Sequence, residues 1–390
     1  MFKFVRKYWS DSSFTSGPFQ FDRPLILLES DDWGRVGVRD REGWEELRAA
    51  GVSLGEHPYD YYSLETAADV TALHELLTSH QDSAGQSASM VLNFVTGNID
   101  FEKLRPSNNN CEIPIRPLSD GLPGTWARPG LFEAFQAGIR AEVFVPALHG
   151  WTHFCVAAAK KELNRVGPRA ALLRTLWSAQ TPYIHWRMPW IGFEYACPVP
   201  RGERFLAETA QSASVYRAVD TLNHLFGGPI TACAPGYRMN QDTYRCWRQH
   251  GMKVVQHGSG QAAPYFSDAL LHLHRSVDFE PAIDGPGFNL EECLEQAECV
   301  LAQGIPLVIS VHSINFHSTL KNFRDRTLRE LDVLLSTLEL RYPRLLYAND
   351  RELLRIIEKG RCERSGGGMK ISVSQSAAPA KTPDAAVAGF

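Results

Sequence analysis

Short unbroken apolar runs alternate along the chain with longer stretches in which apolar residues return every three or four positions. The runs include Leu25 to Leu28 in PLILLESDDWG, Ala88 to Val95, Glu142 to Leu148, Thr231 to Ala234, Lys253 to Gln256, Pro306 to Val311 and Leu345 to Tyr347. Such runs suit strands covered on both faces, as in a parallel sheet flanked by helices. The intervening spacing predicts helices over 41–50, 66–79, 131–137, 168–180, 203–226, 240–250, 291–303, 326–341 and 350–358. In the second of these, Val70, Leu73, Leu76 and Leu77 mark one helical face. Strands alternating with helices predict a parallel α/β fold. Residues 105–130, rich in Pro, Gly and Asn, read as a long loop. Residues 1–20 read as an irregular lead-in. Residues 361–390 are dominated by Gly, Ser, Ala and Pro and read as a disordered tail. One large domain with loop insertions, 21–360, is left between them.

Composition narrows the class. A formal net charge of -4 over 390 residues provides no basic field for nucleic acid. None of the eight Cys forms a C-x-x-C pair, so zinc ribbons and thioredoxin-type sites are not expected. No apolar stretch approaches membrane-spanning length, and MFKFVRKYWSDSSF lacks the apolar core of a signal peptide. A soluble, cytoplasmic protein is the expectation, with scattered reduced thiols.

Chemistry-bearing residues gather where the apolar runs stop. Asp31 and Asp32 follow the first run, His149 follows EVFVPAL, and His312 follows PLVISV. In α/β folds the carboxyl ends of the strands are where ligands sit. Two adjacent carboxylates in a dry site need a cation to compensate them; a solvated turn is the plain alternative. His149 and His153 in HGWTH stand four apart, so one helical turn would let both imidazoles reach one metal. With 13 His in the chain, chance alone gives roughly 0.4 such pairs, and two hydrogen-bonded structural histidines are the alternative. Two His and a carboxylate with an open position form a common catalytic metal pattern. No G-x-S-x-G elbow follows a strand, and no phosphate-cradling G-x-x-x-x-G-K-[ST] occurs.

Taken together, Glu29-Ser30-Asp31-Asp32, His149-Gly150-Trp151-Thr152-His153, Ala234-Pro235-Gly236-Tyr237 and Ser310-Val311-His312 resemble, in order and rough separation, the motifs of the polysaccharide deacetylase (NodB-homology, carbohydrate esterase 4-like) family. The S-D-D-W-G and H-G-x-x-H forms resemble a divergent branch of it. The resemblance covers about Phe21 to Glu358. It implies a distorted (β/α) barrel with its site at the carboxyl ends of the strands. It implies that Asp32, His149 and His153 bind a divalent metal, with zinc expected. Asp31 would be the general base that activates water, and His312 the general acid. The backbone N–H near Tyr237 would stabilise the oxyanion.

Two positions depart from the family pattern. The Arg that braces the catalytic Asp is replaced in its motif by Cys233 or Ala234, leaving Arg238 or Arg187 as substitutes. The Asp that orients the catalytic His has no clear match; Asp278 in HRSVDFEP is the nearest. Trp33, Trp151, Tyr237 and Trp190 are candidates for stacking on a sugar, with plain packing as the alternative. Asn315 and His317 are candidates for the rim. The function implied is a metal-dependent hydrolase that removes an acetyl or other acyl group from an amino sugar or glycan precursor. The alternatives are a C–N hydrolase of the same fold acting on a cyclic amide or formylated sugar, and a catalytically degenerate carbohydrate-binding protein.

Overall fold

The computed structural model describes residues 18–104, 112–260, 262–364 and 367–375. Its centre is a mostly parallel sheet. In spatial order its strands are Val254–Ser259, Thr231–Cys233, Phe144–Leu148, Met90–Phe94, Leu25–Trp33 and Leu307–His312. Each of these pairs in parallel with its neighbour. The short strand Leu346–Tyr347 pairs with the start of Leu25–Trp33. Every apolar run singled out in the sequence is one of these strands. Helices Arg41–Ala49, Ala67–Ser79, Leu131–Arg140, Gln241–Gln249, Leu290–Ala302, Arg324–Arg341 and Asp350–Lys359 fall where the helical spacing places them.

The Leu25–Trp33 strand shows why an unbroken apolar run is needed. Its residues are all buried, and alternate side chains serve different layers. Ile26 and Leu28 pack with the helices, in a cluster holding Leu73, Leu77, Leu334 and Leu338. Leu25 and Leu27 pack with Val308 from the adjacent strand and with Val254, Leu271 and Leu273 from strands farther along the sheet. Glu29 and Asp31 continue this second row, so an apolar layer supports a polar one at the strands' carboxyl ends.

Several elements were not legible in the sequence. Gly202–Phe205, at the start of the helix expected over 203–226, is a strand paired antiparallel with Ala196–Val199, and the helix itself is Glu208–Leu225. Helix Val156–Leu163 follows the HGWTH segment. Strands Leu270–Arg275 and Val277–Asp278 form one extended stretch, paired in parallel with Val254–Ser259 at its start and with Leu307–His312 at its end. Tyr265–Ser267 adds antiparallel to Leu270–Arg275. Leu271 and Leu273 alternate with His272 and His274, a strand signal of period two that the polar residues obscure.

The segment read as a disordered tail begins with ordered structure. Arg361–Arg364 and Gly367–Lys370 form a hairpin, and Val373–Gln375 pairs antiparallel with Phe19–Phe21. Ile371 is buried beside Phe19, Phe21 and Leu354. Ile371 and the partly buried Val373, with the strand pairing to Phe19–Phe21, dock a segment whose overall composition is poor. Residues 376–390, 105–111 and most of the expected lead-in, 1–17, lie outside the described residues.

If this docking contributes to the fold, Ile371→Ala removes a buried side chain and destabilises the protein by about 2–5 kcal/mol. Urea unfolding measures this, and an unchanged midpoint contradicts the packing described.

Candidate metal centre

Consecutive strand residues point to opposite faces, so Asp31 and Asp32 should not both reach one site. A bulge resolves this. The register against Met90–Phe94 runs from Ser30↔Leu92 to Trp33↔Phe94, so the first strand carries an extra residue. Asp32 takes a left-handed backbone conformation, φ 76°, which costs a non-glycine residue about 1–3 kcal/mol. The Tyr62 hydroxyl donates to the Asp32 carbonyl at 2.7 Å and helps fix the bend. Both carboxylates then line one cleft of about 240 Å³.

His149 and His153 line the same cleft, but no helical turn joins them. The HGWTH segment is a loop with Gly150 at φ 88°. The buried Glu194 carboxylate accepts from the backbone N–H of Trp151 at 3.0 Å and of Thr152 at 3.4 Å, and from the Ser214 hydroxyl. A Cβ on residue 150 would stand 1.9 Å from Glu194, so glycine is required there. Burial pushes the Glu194 carboxyl up to about 7 despite these donors.

His149 Nε2 lies 3.6 Å and His153 Nε2 3.1 Å from Asp32 Oδ1. That oxygen is buried and has no aligned hydrogen-bond donor. One ligand atom from each of the three residues lies within 4.8 Å of the others. A carboxylate oxygen left without a donor, facing two imidazole nitrogens, fits a divalent cation in donor type and number. Burial opposes the charge on Asp32, but the Arg35 guanidinium outweighs it and holds the carboxyl well below the usual range. Burial drives His153 down to about 3, so its imidazole is neutral, as a ligand must be.

Arg275, which the sequence reading did not single out, braces Asp31. Its NH1 donates to Asp31 Oδ2 at 2.6 Å and its NH2 to Oδ1 at 2.7 Å, while Nε donates to Glu29 at 2.9 Å. Asn93 Nδ2 adds a further bond to Asp31 Oδ1 at 2.8 Å. Burial opposes ionisation of Asp31, yet the Arg275 charge and its hydrogen bonds hold the carboxyl far below the usual range. Glu29, by contrast, is pushed well up by burial and by Asp350. The suggested substitutes are engaged elsewhere. Arg187 binds Asp60 and Arg238 faces Glu203, so neither reaches Asp31.

Glu280, not Asp278, orients His312. Its Oε1 is 2.6 Å from His312 Nδ1 and also accepts from the His312 backbone N–H at 3.1 Å. Asn315 holds the other oxygen at 2.5 Å. Asp278 binds the hydroxyls of Ser259 and Ser310 instead. Burial opposes protonation of His312, but Glu280 prevails and raises it to about 9. Arg275, Asp278 and Glu280 lie on the stretch that the sequence left unassigned. Its period-two alternation places Arg275 on the same face as Leu271 and Leu273, directed inward, and this was the available signal.

The remaining candidates divide. The Tyr237 ring lines the cleft and its hydroxyl accepts from Arg275 at 2.6 Å. Its backbone N–H is already given to the Ala234 carbonyl at 2.8 Å, so it is not free for an oxyanion. Trp33 is fully buried between Phe135 and Phe316, and Trp151 sits in the core. Arg238, Asn315 and His317 do not line the cleft. The aromatic wall comes instead from Tyr59, Trp186, Phe193 and Tyr237, with His57 and His185.

The raised His312 has a linkage consequence. The His312–Glu280 pair contributes stability fully present below the ordinary imidazole range and lost as pH rises through about 9. In Glu280→Gln the His312 titration, followed by NMR, is expected to fall to 6.5 or below. The stability difference from wild type should then close at high pH. An unmoved midpoint contradicts this pairing.

No protein-family model matches the chain, and no curated protein matches it. Among solved structures it is similar to a putative polysaccharide deacetylase from Mycobacterium smegmatis, at 13% identity over 89% of this chain and 91% of that one, TM-score 0.43. It is also similar to a family 4 carbohydrate esterase from Streptomyces lividans, at 12% identity over 83% and 92%, TM-score 0.36. A 4-alpha-glucanotransferase from Thermococcus litoralis aligns at 8% identity over 86% of this chain, TM-score 0.47, and the chain spans 40% of that protein's length.

Proposed function

We propose that this chain is a metal-dependent hydrolase that removes an acetyl or other acyl group from an amino sugar or glycan precursor. One observation carries the reading. The Asp32, His149 and His153 donors converge in a cleft flanked by an Arg275-braced Asp31 and a Glu280-paired His312. Zinc is the metal that two imidazoles and a carboxylate with an open position best suit. When bound, such a cation polarises an acyl carbonyl and lowers the pKa of water.

The chain's own residues supply the proton transfers. Asp31 is held ionised and accepts the proton of the attacking water. Its low basicity would suffice if a cation held by Asp32, His149 and His153 lowered the pKa of that water. His312 is an imidazolium at neutral pH, and Glu280 holds Nδ1, so the Nε2 proton is the one available to the leaving amine. Asp31 and His312 are register neighbours on adjacent parallel strands, which places base and acid on one edge of the cleft. The rings of Tyr59, Trp186, Phe193 and Tyr237 offer apolar faces for a sugar. We also read the sheet as a distorted (β/α) barrel, because the 270–278 stretch pairs with a different strand at each end. No helix among the described residues is long and apolar enough to cross a membrane. We place the protein in the cytoplasm, acting on a soluble or lipid-linked sugar.

The contacts of Arg275 with Asp31 and of Glu280 with His312 favour a hydrolase over a degenerate binding protein. A C–N hydrolase of a cyclic amide or formylated sugar shares the same machinery and differs only in substrate.

Metal analysis of the purified protein and an acetate-release screen test the proposal. Asp31→Asn should retain metal and lose turnover by about 10²–10⁴-fold, whereas His149→Ala should lose both. Equal metal content and activity in all three proteins refutes it. Turnover of small cyclic amides or formylated sugars, without acetate release, transfers the assignment to the second substrate class.

A further inference from the structure

Arg35 lies within the candidate metal centre, where its charge favours the ionised form of Asp32, and it takes no part in the proton transfers above. It is buried, at 5% exposure, and lines the same cleft. Its NH2 is 3.3 Å from Asp32 Oδ2, and its NH1 donates to the Tyr183 hydroxyl at 2.9 Å. The guanidinium lies over the Tyr62 ring, 3.9 Å from its centre. The same NH1 is 3.4 Å from His153 Nδ1.

The last contact has a consequence for coordination. Guanidinium only donates, so His153 Nδ1 must accept. The proton of the neutral imidazole then sits on Nε2, the atom that should offer its lone pair to a cation beside Asp32. His149 is arranged the other way. Its Nδ1 faces the Cys233 carbonyl at 3.0 Å, and a carbonyl only accepts. The His149 proton therefore sits on Nδ1, and Nε2 presents a lone pair, the usual outer-shell support for a metal ligand. One histidine is set to bind and the other is set against it. Arg35 also spends part of the Asp32 charge, and it stands as a permanent positive charge beside the position a divalent cation would take. Burial limits screening of that repulsion.

We infer that Arg35 is a built-in competitor of the metal: it holds His153 in the tautomer that does not ligate and partly neutralises Asp32. A divalent cation completes the site only when the Arg35–His153 contact opens and the proton moves to Nδ1. The inference rests on the metal reading of Asp32, His149 and His153. It makes the metal weakly held and exchangeable.

The test uses the full chain, stripped with a chelator and dialysed. Zn²⁺ affinity is measured by calorimetry in competition with a chelator of known strength. Arg35→Gln removes the charge, and its side-chain carbonyl can accept a proton from His153 Nδ1. Its Zn²⁺ affinity is expected to rise about 10–100-fold, the usual scale for outer-shell partners. A second readout needs no variant. Long-range ¹H–¹⁵N spectra of the metal-free wild type should show the His149 proton on Nδ1 and the His153 proton on Nε2, with His153 switching when Zn²⁺ is added. Equal or weaker Zn²⁺ binding by folded Arg35→Gln overturns the inference and leaves the metal reading standing. So does a His153 proton found on Nδ1 in the metal-free protein. Absence of Zn²⁺ binding by both proteins overturns the metal reading and this inference with it.

Discussion

The buried guanidinium of Arg275 is the interaction on which the site depends. It stands at 1% exposure between two carboxylates on one strand, Glu29 and Asp31. Ions taken out of water are costly unless their geometry is well matched. Here a two-pronged contact to Asp31 and a third bond to Glu29 supply the match. Burial and the nearby Asp350 push the Glu29 carboxyl well up, against the pull of Arg275. Losing one partner of such a pair costs about 3–5 kcal/mol, so the clamp supports the fold as well as the site.

The clamp extends into a polar layer between the strands. Asn93 bridges Asp31 and the Gln256 carbonyl, and the Gln256 amide donates to Asp350 at 2.8 Å. These residues come from separate strands and from the start of the last long helix. Beneath them lies the apolar row of Leu25, Leu27, Val254, Leu271 and Leu273. The lower row provides burial, and the upper row uses that burial to sharpen electrostatics. Asp31 and His312 are therefore driven in opposite directions from ordinary values within one cleft, the arrangement that separates a base from an acid.

Among the described non-glycine residues with left-handed backbone, Asp32 and Tyr237 both line the cleft. The bulge at Asp31–Asp32 and the Gly150 turn each re-aim a side chain that regular geometry would send elsewhere. Both are held by buried polar groups, Tyr62 on the first and Glu194 on the second. The donors are thus positioned by strand ends and clamped loops, which limits the reorganisation needed when substrate arrives.

Periodicity alone identified most strands and helices of the sheet, because burial on both faces demands unbroken apolar runs and helices repeat every three to four residues. It also pointed to Asp31, Asp32, His149 and His312, because polar residues at the ends of buried strands are costly without a task; His153 came from its spacing in HGWTH, and the roles of all five came from the family resemblance. Tertiary structure decided the rest. The bulge, and not a spacing rule, lets both aspartates face one cleft. A loop held by Glu194, and not a helical turn, brings the two histidines together. Arg275 and Glu280 reach Asp31 and His312 across 244 and 32 residues of chain. Nothing in the sequence links partners so far apart, since the contacts are made across the folded sheet and not between neighbours in sequence.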